Sequence, residues 1–223
     1  MLGLNLSDIL INVPITLVAL TGHELAHAYV STKLGDPTPR MQGRLTLNPL
    51  AHLDLMGTIL MVITRFGWAK PVMVDPRYYK NRKQGMALTA IAGPIANLIM
   101  AFLAVTIFAV IYKVSQRINP GLTYGVYIVG RILVRFAVIN LCFMVFNIIP
   151  IPPLDGSKVL GIFLPNKVYY TMLQYERYAM ILIMVLSLIG VFSIIIGTGV
   201  DVIVRGMANI LGIDPELILL LIN

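Results

Sequence analysis

Two apolar stretches, from about Gly85 to Tyr112 and from about Leu122 to Ile149, limit what this chain can become more than any other feature. Each exceeds the ~20 residues that a helix needs to cross a bilayer, and the first contains no charged residue. Of the 223 residues, 58% are apolar and only 12% charged, with a mean hydropathy of +0.85, which excludes an ordinary water-soluble domain. The chain therefore reads as an all-α polytopic membrane protein. Further spans run from about Ile9 to Val30 and from about Tyr178 to Ile196. A weaker one, from about Val200 to Leu221, carries Asp201, Arg205 and Pro215. The expectation is five to six transmembrane helices. No domain-sized polar block or linker interrupts them, so residues 1–223 are expected to form a single membrane domain.

Charge and cysteine content narrow the function classes. The net charge of +7 comes from basic residues in short loops between apolar segments, where they set membrane orientation, and no nucleic-acid partner is expected. Cys142 is the single cysteine, which rules out an internal disulfide or a cysteine-rich metal cluster and reads as a buried structural thiol. The first apolar helix has Asp8 near its start and no Lys or Arg before it. It is therefore read as a retained span and not as a cleaved signal.

Inside that first span lies Gly22-His23-Glu24-Leu25-Ala26-His27. On a helix, His23 and His27 face the same way, so two imidazoles can converge on one zinc ion with Glu24 beside it, the HExxH arrangement of zinc peptidases. Such matches also arise by chance in long helices, so the rest of the chain must supply the remaining parts of a site. Asn147-Ile148-Ile149-Pro150-Ile151-Pro152-Pro153-Leu154-Asp155-Gly156 does so. Three prolines in four positions end the helix and leave carbonyls free at membrane depth, which is tolerated only beside protein or water. Asp155 is costly there without a partner. As third ligand it completes a His23, His27, Asp155 set with an open fourth position for water.

Between these elements the chain changes character. After Asp36-Pro37-Thr38-Pro39, the residues Arg44, Thr46 and Asn48 alternate with Leu45 and Leu47, a pattern of either a polar connector or a small β-strand at the membrane surface. An exposed strand edge there could hold an unwound substrate. Leu55 to Phe66 is apolar but spans only about 18 Å as a helix against a hydrocarbon core of ~30 Å, and is expected to be re-entrant. If it turns back, the ends carrying His27 and Asp155 share one membrane face. The basic loop of Arg65, Lys70, Arg77, Lys80, Arg82 and Lys83 then falls on that face with Lys33, Arg40, Arg44, Lys158 and Lys167, leaving Lys113 and Arg117 opposite. The positive-inside rule makes the histidine end cytoplasmic.

HELAH followed by NxxPxxPLDG in a later span resembles the site-2 protease family of intramembrane zinc metalloproteases. Gly93, Pro94 and Asn97 match that family's Gly-Pro-x-x-Asn element, and Phe66-Gly67-Trp68-Ala69-Lys70-Pro71-Val72 resembles a compact bacterial or archaeal branch without a PDZ or nucleotide-sensing domain. The resemblance implies a zinc-dependent endopeptidase in a cell membrane, cutting a single-pass membrane protein already trimmed elsewhere. Glu24 would be its catalytic acid and base, and Asn147 a donor to the oxyanion or else a cap for carbonyls freed near Pro150. Asn140, two turns earlier, either orients the substrate or makes a helix–helix hydrogen bond. Asn97 fits close helix packing, with substrate contact left open. His52, near Asp54, reads as a surface or supporting residue, with metal binding the alternative. Arg131 and Arg135 share a face and either snorkel or turn inward.

Two rivals remain. A membrane metal transporter would spread ionisable residues along a path, whereas here they gather at one depth; a non-catalytic scaffold of the same fold should lack Glu24 or a ligand. A different zinc peptidase class would need another ligand, and Glu176 has no supporting context. A homo-oligomer or a regulatory membrane partner stays open.

Overall fold

Ala101, Ala104, Val105, Phe108 and Ala109 recur three and four residues apart, which on a helix makes one face mostly small enough for another helix to lie close against it. In the computed structural model, which describes residues 6–54, 57, 70–119, 121 and 123–222, that face closes the bundle. Its helix, Arg82–Ile118, is numbered α3; before it come α1, Leu6–Lys33, and the single turn α2, Thr38–Met41. After it come α4, Tyr124–Ile148, then α5, Asp155–Leu160, and α6, Asn166–Gln174. The chain continues through α7, Glu176–Leu188, α8, Val191–Leu211, and α9, Pro215–Ile222.

The small face of α3 meets Val134, Ala137 and Leu141 of α4, and the same core takes in Val204 and Met207 of α8 and Ile218 and Leu221 of α9. The opposite face of α3 carries Ile95, Ile99, Leu103, Ile107 and Val110, each between 47% and 57% exposed. Small and polar residues inside with bulky aliphatic residues outside is the arrangement suited to lipid. In that solvent, close contact and interhelical hydrogen bonds hold helices together, because lipid is as apolar as leucine. Among the described residues, α3, α4 and α8 are long and apolar enough to cross a membrane.

Two expectations about elements are corrected. The span placed at Tyr178 to Ile196 is divided, because Gly190 adopts a left-handed φ of +83° that stops α7 and starts α8. Helix α8 then runs unbroken from Val191 to Leu211, across the gap expected between Ile196 and Val200. In the same helix Arg205 pairs with Asp201 and with Glu216 of α9, compensating the charges that weakened this span on paper.

The surface strand expected around Leu45 is not a strand. Residues 44–48 bend into a 3₁₀ turn, Pro49–Ala51, capped by the Asn48 side chain. Arg44 is the reason. Its guanidinium is buried and donates to the carbonyls of Ala51 (2.6 Å), Lys70 (3.2 Å) and Pro71 (3.3 Å), so the chain wraps around it. Leu47 is left 75% exposed, so the alternation does not divide inside from outside.

A second buried polar group, Asp36, ties the end of α1 to the start of α2 and to the loop ahead of α3. Its carboxylate accepts from Ser31 Oγ (2.8 Å), the Thr38 amide (2.9 Å) and the Asp75 amide (2.8 Å). Burial opposes ionisation of Asp36, but these hydrogen bonds outweigh it and hold the carboxyl below its ordinary range. Ser31 Oγ also meets Tyr79 Oη at 2.8 Å, and Tyr79 Oη meets Thr89 Oγ1 of α3 at 3.1 Å. The chain therefore leaves α1 and enters α3 at the same end of the bundle, as a shared membrane face for His27 and Asp155 requires. The Leu55 to Phe66 segment itself, apart from Gly57, lies outside the described residues.

Candidate functional site

The third turn from the end of α1 brings His23 and His27 onto one face, and the proline-rich turn after α4 delivers Asp155 to the same place. Gly156 makes that delivery possible, since a Cβ there would stand 2.1 Å from the Ile148 carbonyl oxygen. His23 Nε2 and His27 Nε2 are 3.0 Å apart, and Asp155 Oδ2 lies 3.2 Å from the first and 3.1 Å from the second. All three residues are buried. They are the one group of three potential metal ligands among the described residues.

The donor chemistry tests whether a cation belongs there. His27 Nδ1 lies 2.7 Å from the Thr89 carbonyl oxygen, which can only accept, so Nδ1 carries the proton and Nε2 of the neutral ring presents a bare lone pair. His23 Nδ1 lies 2.6 Å from Asn97 Oδ1, with the same consequence. Asp155 Oδ2 is buried without a hydrogen-bond partner. Three lone pairs thus face one another at about the spacing expected of tetrahedral ligands, roughly 3.3–3.5 Å for bond lengths near 2.0–2.2 Å. Without a cation or proton between them, that arrangement is repulsive. The residues fit a metal ion.

Neighbouring groups hold these donors. Gly93 of α3 packs directly on both rings: a Cβ there would lie 2.5 Å from His23 Cε1 and 2.5 Å from His27 Nε2. Lys158 Nζ sits 3.4 Å from Asp155 Oδ1, on the oxygen turned away from the histidines. Glu24 is 9% exposed, and its Oε2 accepts the Val72 amide at 3.1 Å.

The other candidates fall elsewhere. Asn140 is fully buried between α3 and α4, donating to the Phe136 carbonyl and accepting from Asn97. This is the geometry of a helix–helix hydrogen bond. Asn147 is half-buried, with one amide hydrogen on the Phe143 carbonyl at 3.0 Å. His52 is not a surface residue: it is fully buried, with Nε2 2.9 Å from the Thr46 carbonyl oxygen, and it stands outside the metal-ligand group. Glu176 is exposed at the start of α7. Arg131 lies over the Tyr127 ring, and Cys142 is half-buried against the core. Sequence reasoning missed Asn97, Gly93, Thr89 and Val72 as neighbours of the donors and of Glu24. A polar Asn97 in a charge-free apolar run, one turn from Gly93, was the available signal for two of them.

Two histidines and an aspartate converging inside an apolar bundle, with a glutamate beside the first histidine, define the class of membrane-embedded metallopeptidases. The model for peptidase family M50 matches residues 13–193, and the chain belongs to that family, the site-2 proteases. It is 40% identical over 170 residues to "Putative zinc metalloprotease YwhC" of Bacillus subtilis, a match covering 76% of each chain. It is 26% identical over 176 residues to "Putative zinc metalloprotease Rip2" of Mycolicibacterium smegmatis, covering 76% of this chain and 63% of that one. To Rip2 of Mycobacterium tuberculosis it is 28% identical over 178 residues, covering 77% and 64%. No solved structure matches.

Proposed function

We propose that this chain is a zinc-dependent intramembrane endopeptidase in which His23, His27 and Asp155 hold the metal and Glu24 moves the protons. The observation that carries the reading is the convergence of His23 Nε2, His27 Nε2 and Asp155 Oδ2 within 3.2 Å of one another, beside Glu24. A zinc ion held by these three residues would supply Lewis acidity, lowering the pKa of water at the site toward about 7 and polarising a peptide carbonyl. Glu24, its carboxylate oriented by the Val72 amide, would accept a proton from the attacking water and pass it to the leaving amine. Asn147 offers the amide hydrogen that Phe143 does not take as a second donor to the oxyanion. Neither the metal-transporter nor the scaffold reading is favoured, since the donors cluster in one place and Glu24 is present.

The substrate is a membrane protein, and we infer a single-pass one, trimmed beforehand. A helix hides its peptide bonds, so local unwinding must precede cleavage. With α1 and the segments beyond α4 counted beside α3, α4 and α8, the chain crosses the membrane five to six times. The end bearing the donors also bears Lys33, Arg40, Arg77, Arg82 and Lys158, while Lys113 and Arg117 sit at the far end of α3, which supports a cytoplasmic active site.

Metal removal tests the function. A strong chelator should stop cleavage of a model transmembrane substrate by the detergent-purified protein, and added zinc should restore it; full activity after the metal has been stripped would end the zinc-protease reading. Gly93→Ala probes the cradle. The added methyl must displace two hydrogen-bonded rings, at about 1–3 kcal/mol, and zinc affinity is expected to fall roughly tenfold or more. Zinc titration of the variant checks this, and wild-type affinity would show that the rings accommodate the methyl freely.

A further inference from the structure

Asn97 and Asn140 are both fully buried, and together they join three helices. Starting from α4, Asn140 Nδ2 donates to the Phe136 carbonyl at 2.8 Å. A carbonyl cannot donate, so the amide nitrogen of Asn140 must face it and Oδ1 must face α3. There Asn97 Nδ2 donates to Asn140 Oδ1 at 2.8 Å and to the Ala19 carbonyl of α1 at 3.3 Å. Both hydrogens of Asn97 are then used on acceptors, which leaves Oδ1 for His23 Nδ1 at 2.6 Å.

We infer that Asn97 and Asn140 form a polarised relay that selects the tautomer of His23, with Asn140 acting through Asn97. The two histidines are held differently. His27 leans on a backbone carbonyl, which has no alternative orientation. His23 leans on a side-chain amide, which can turn by half a revolution and present its nitrogen. A turned Asn97 would donate to Nδ1 and drive the proton to Nε2, aimed at His27 and Asp155, where it would exclude a cation. The Ala19 carbonyl and Asn140 oppose that turn, because it would leave an acceptor facing each of two acceptors where both asparagines are fully buried. Asn97 and Asn140 are therefore positioning residues, and Asn140 is assigned to the metal site's support and not to substrate.

The relay rests on His23 being a zinc ligand, so the test uses zinc affinity of the full chain in detergent, measured by competition with a chromogenic chelator. His23→Ala is the control for the site itself: unchanged zinc binding there would overturn the ligand reading and the relay with it. With that control losing zinc, Asn97→Ala is expected to weaken binding roughly 10–100-fold, as loss of a supporting partner does at other metal–histidine sites. Asn97→Asp should recover part of the affinity lost in Asn97→Ala, since either carboxylate oxygen accepts from Nδ1, while the other oxygen, with no hydrogen to give the Ala19 carbonyl or Asn140 Oδ1, keeps the recovery incomplete. The discriminating comparison is Asn140→Ala in two backgrounds. It should weaken zinc binding about tenfold in the wild type and less than about twofold beside Asn97→Asp, where no wrong orientation remains to be excluded. A residue that only packed helices together would cost the same in both backgrounds, and that result would overturn the relay while leaving the zinc site intact. Wild-type affinity in Asn97→Ala would overturn it equally.

Discussion

Glu24→Gln is expected to keep its zinc and to hydrolyse a transmembrane substrate about 10²–10⁴-fold more slowly, the range associated with a positioned proton-transfer group. Glutamine has nearly the same shape, and its carbonyl oxygen can still accept the Val72 amide that Glu24 Oε2 now accepts at 3.1 Å. What it cannot do is take a proton. Helix α1 and the donors at His23 and His27 are untouched by the change, so metal content serves as the control for an intact site. Single-turnover cleavage in detergent, read beside zinc content, makes the measurement. A variant that cleaves as fast as the wild type would remove Glu24 from the chemistry.

Asp155→Ala is expected to strip the metal. Apparent binding free energies of about 10–16 kcal/mol for four-ligand zinc sites correspond to roughly 2.5–4 kcal/mol per ligand, or on the order of 10²–10³-fold in affinity. The loss has a second part, because Lys158 Nζ, 3.4 Å from Asp155 Oδ1, would be left without its acid. Zinc titration of the detergent-solubilised variant reads the effect. Undiminished affinity would require another carboxylate or imidazole, yet Glu176 is exposed at the start of α7 and His52 stands outside the ligand group. The two variants separate the roles cleanly: one should lose chemistry with metal retained, the other should lose metal first.

The parts of the site that are legible from residue order are those set by short-range geometry. His23, Glu24 and His27 share one helix, whose 3.6-residue period puts the histidines on a common face whatever surrounds them. Asp155 is legible because a charged residue beside three prolines at the end of an apolar span is too costly to be idle. Around Leu45 the same kind of reading fails, because alternation is a local signal and the buried Arg44 guanidinium draws its acceptors from Ala51, Lys70 and Pro71. The boundary expected between Ile196 and Val200 lies inside a continuous helix, while the break is at Gly190, where φ is positive.

Taken alone, then, the amino-acid order determined the solvent, the helical class, the HExxH pair and the identity of a third donor, all of which depend on composition or on residues within one or two turns. Tertiary structure decided the rest. That α1 and α3 meet at one end, that Gly93 leaves room for two imidazoles, and that Asn97 reaches His23 across 74 residues of chain depend on how helices are rotated and slid against one another. The physical reason is that a hydrogen bond tolerates only a few tenths of an ångström in distance. A hydropathy pattern leaves that rotation and slide undefined, whereas burial of Ala101, Ala104 and Ala137 in one core depends on both.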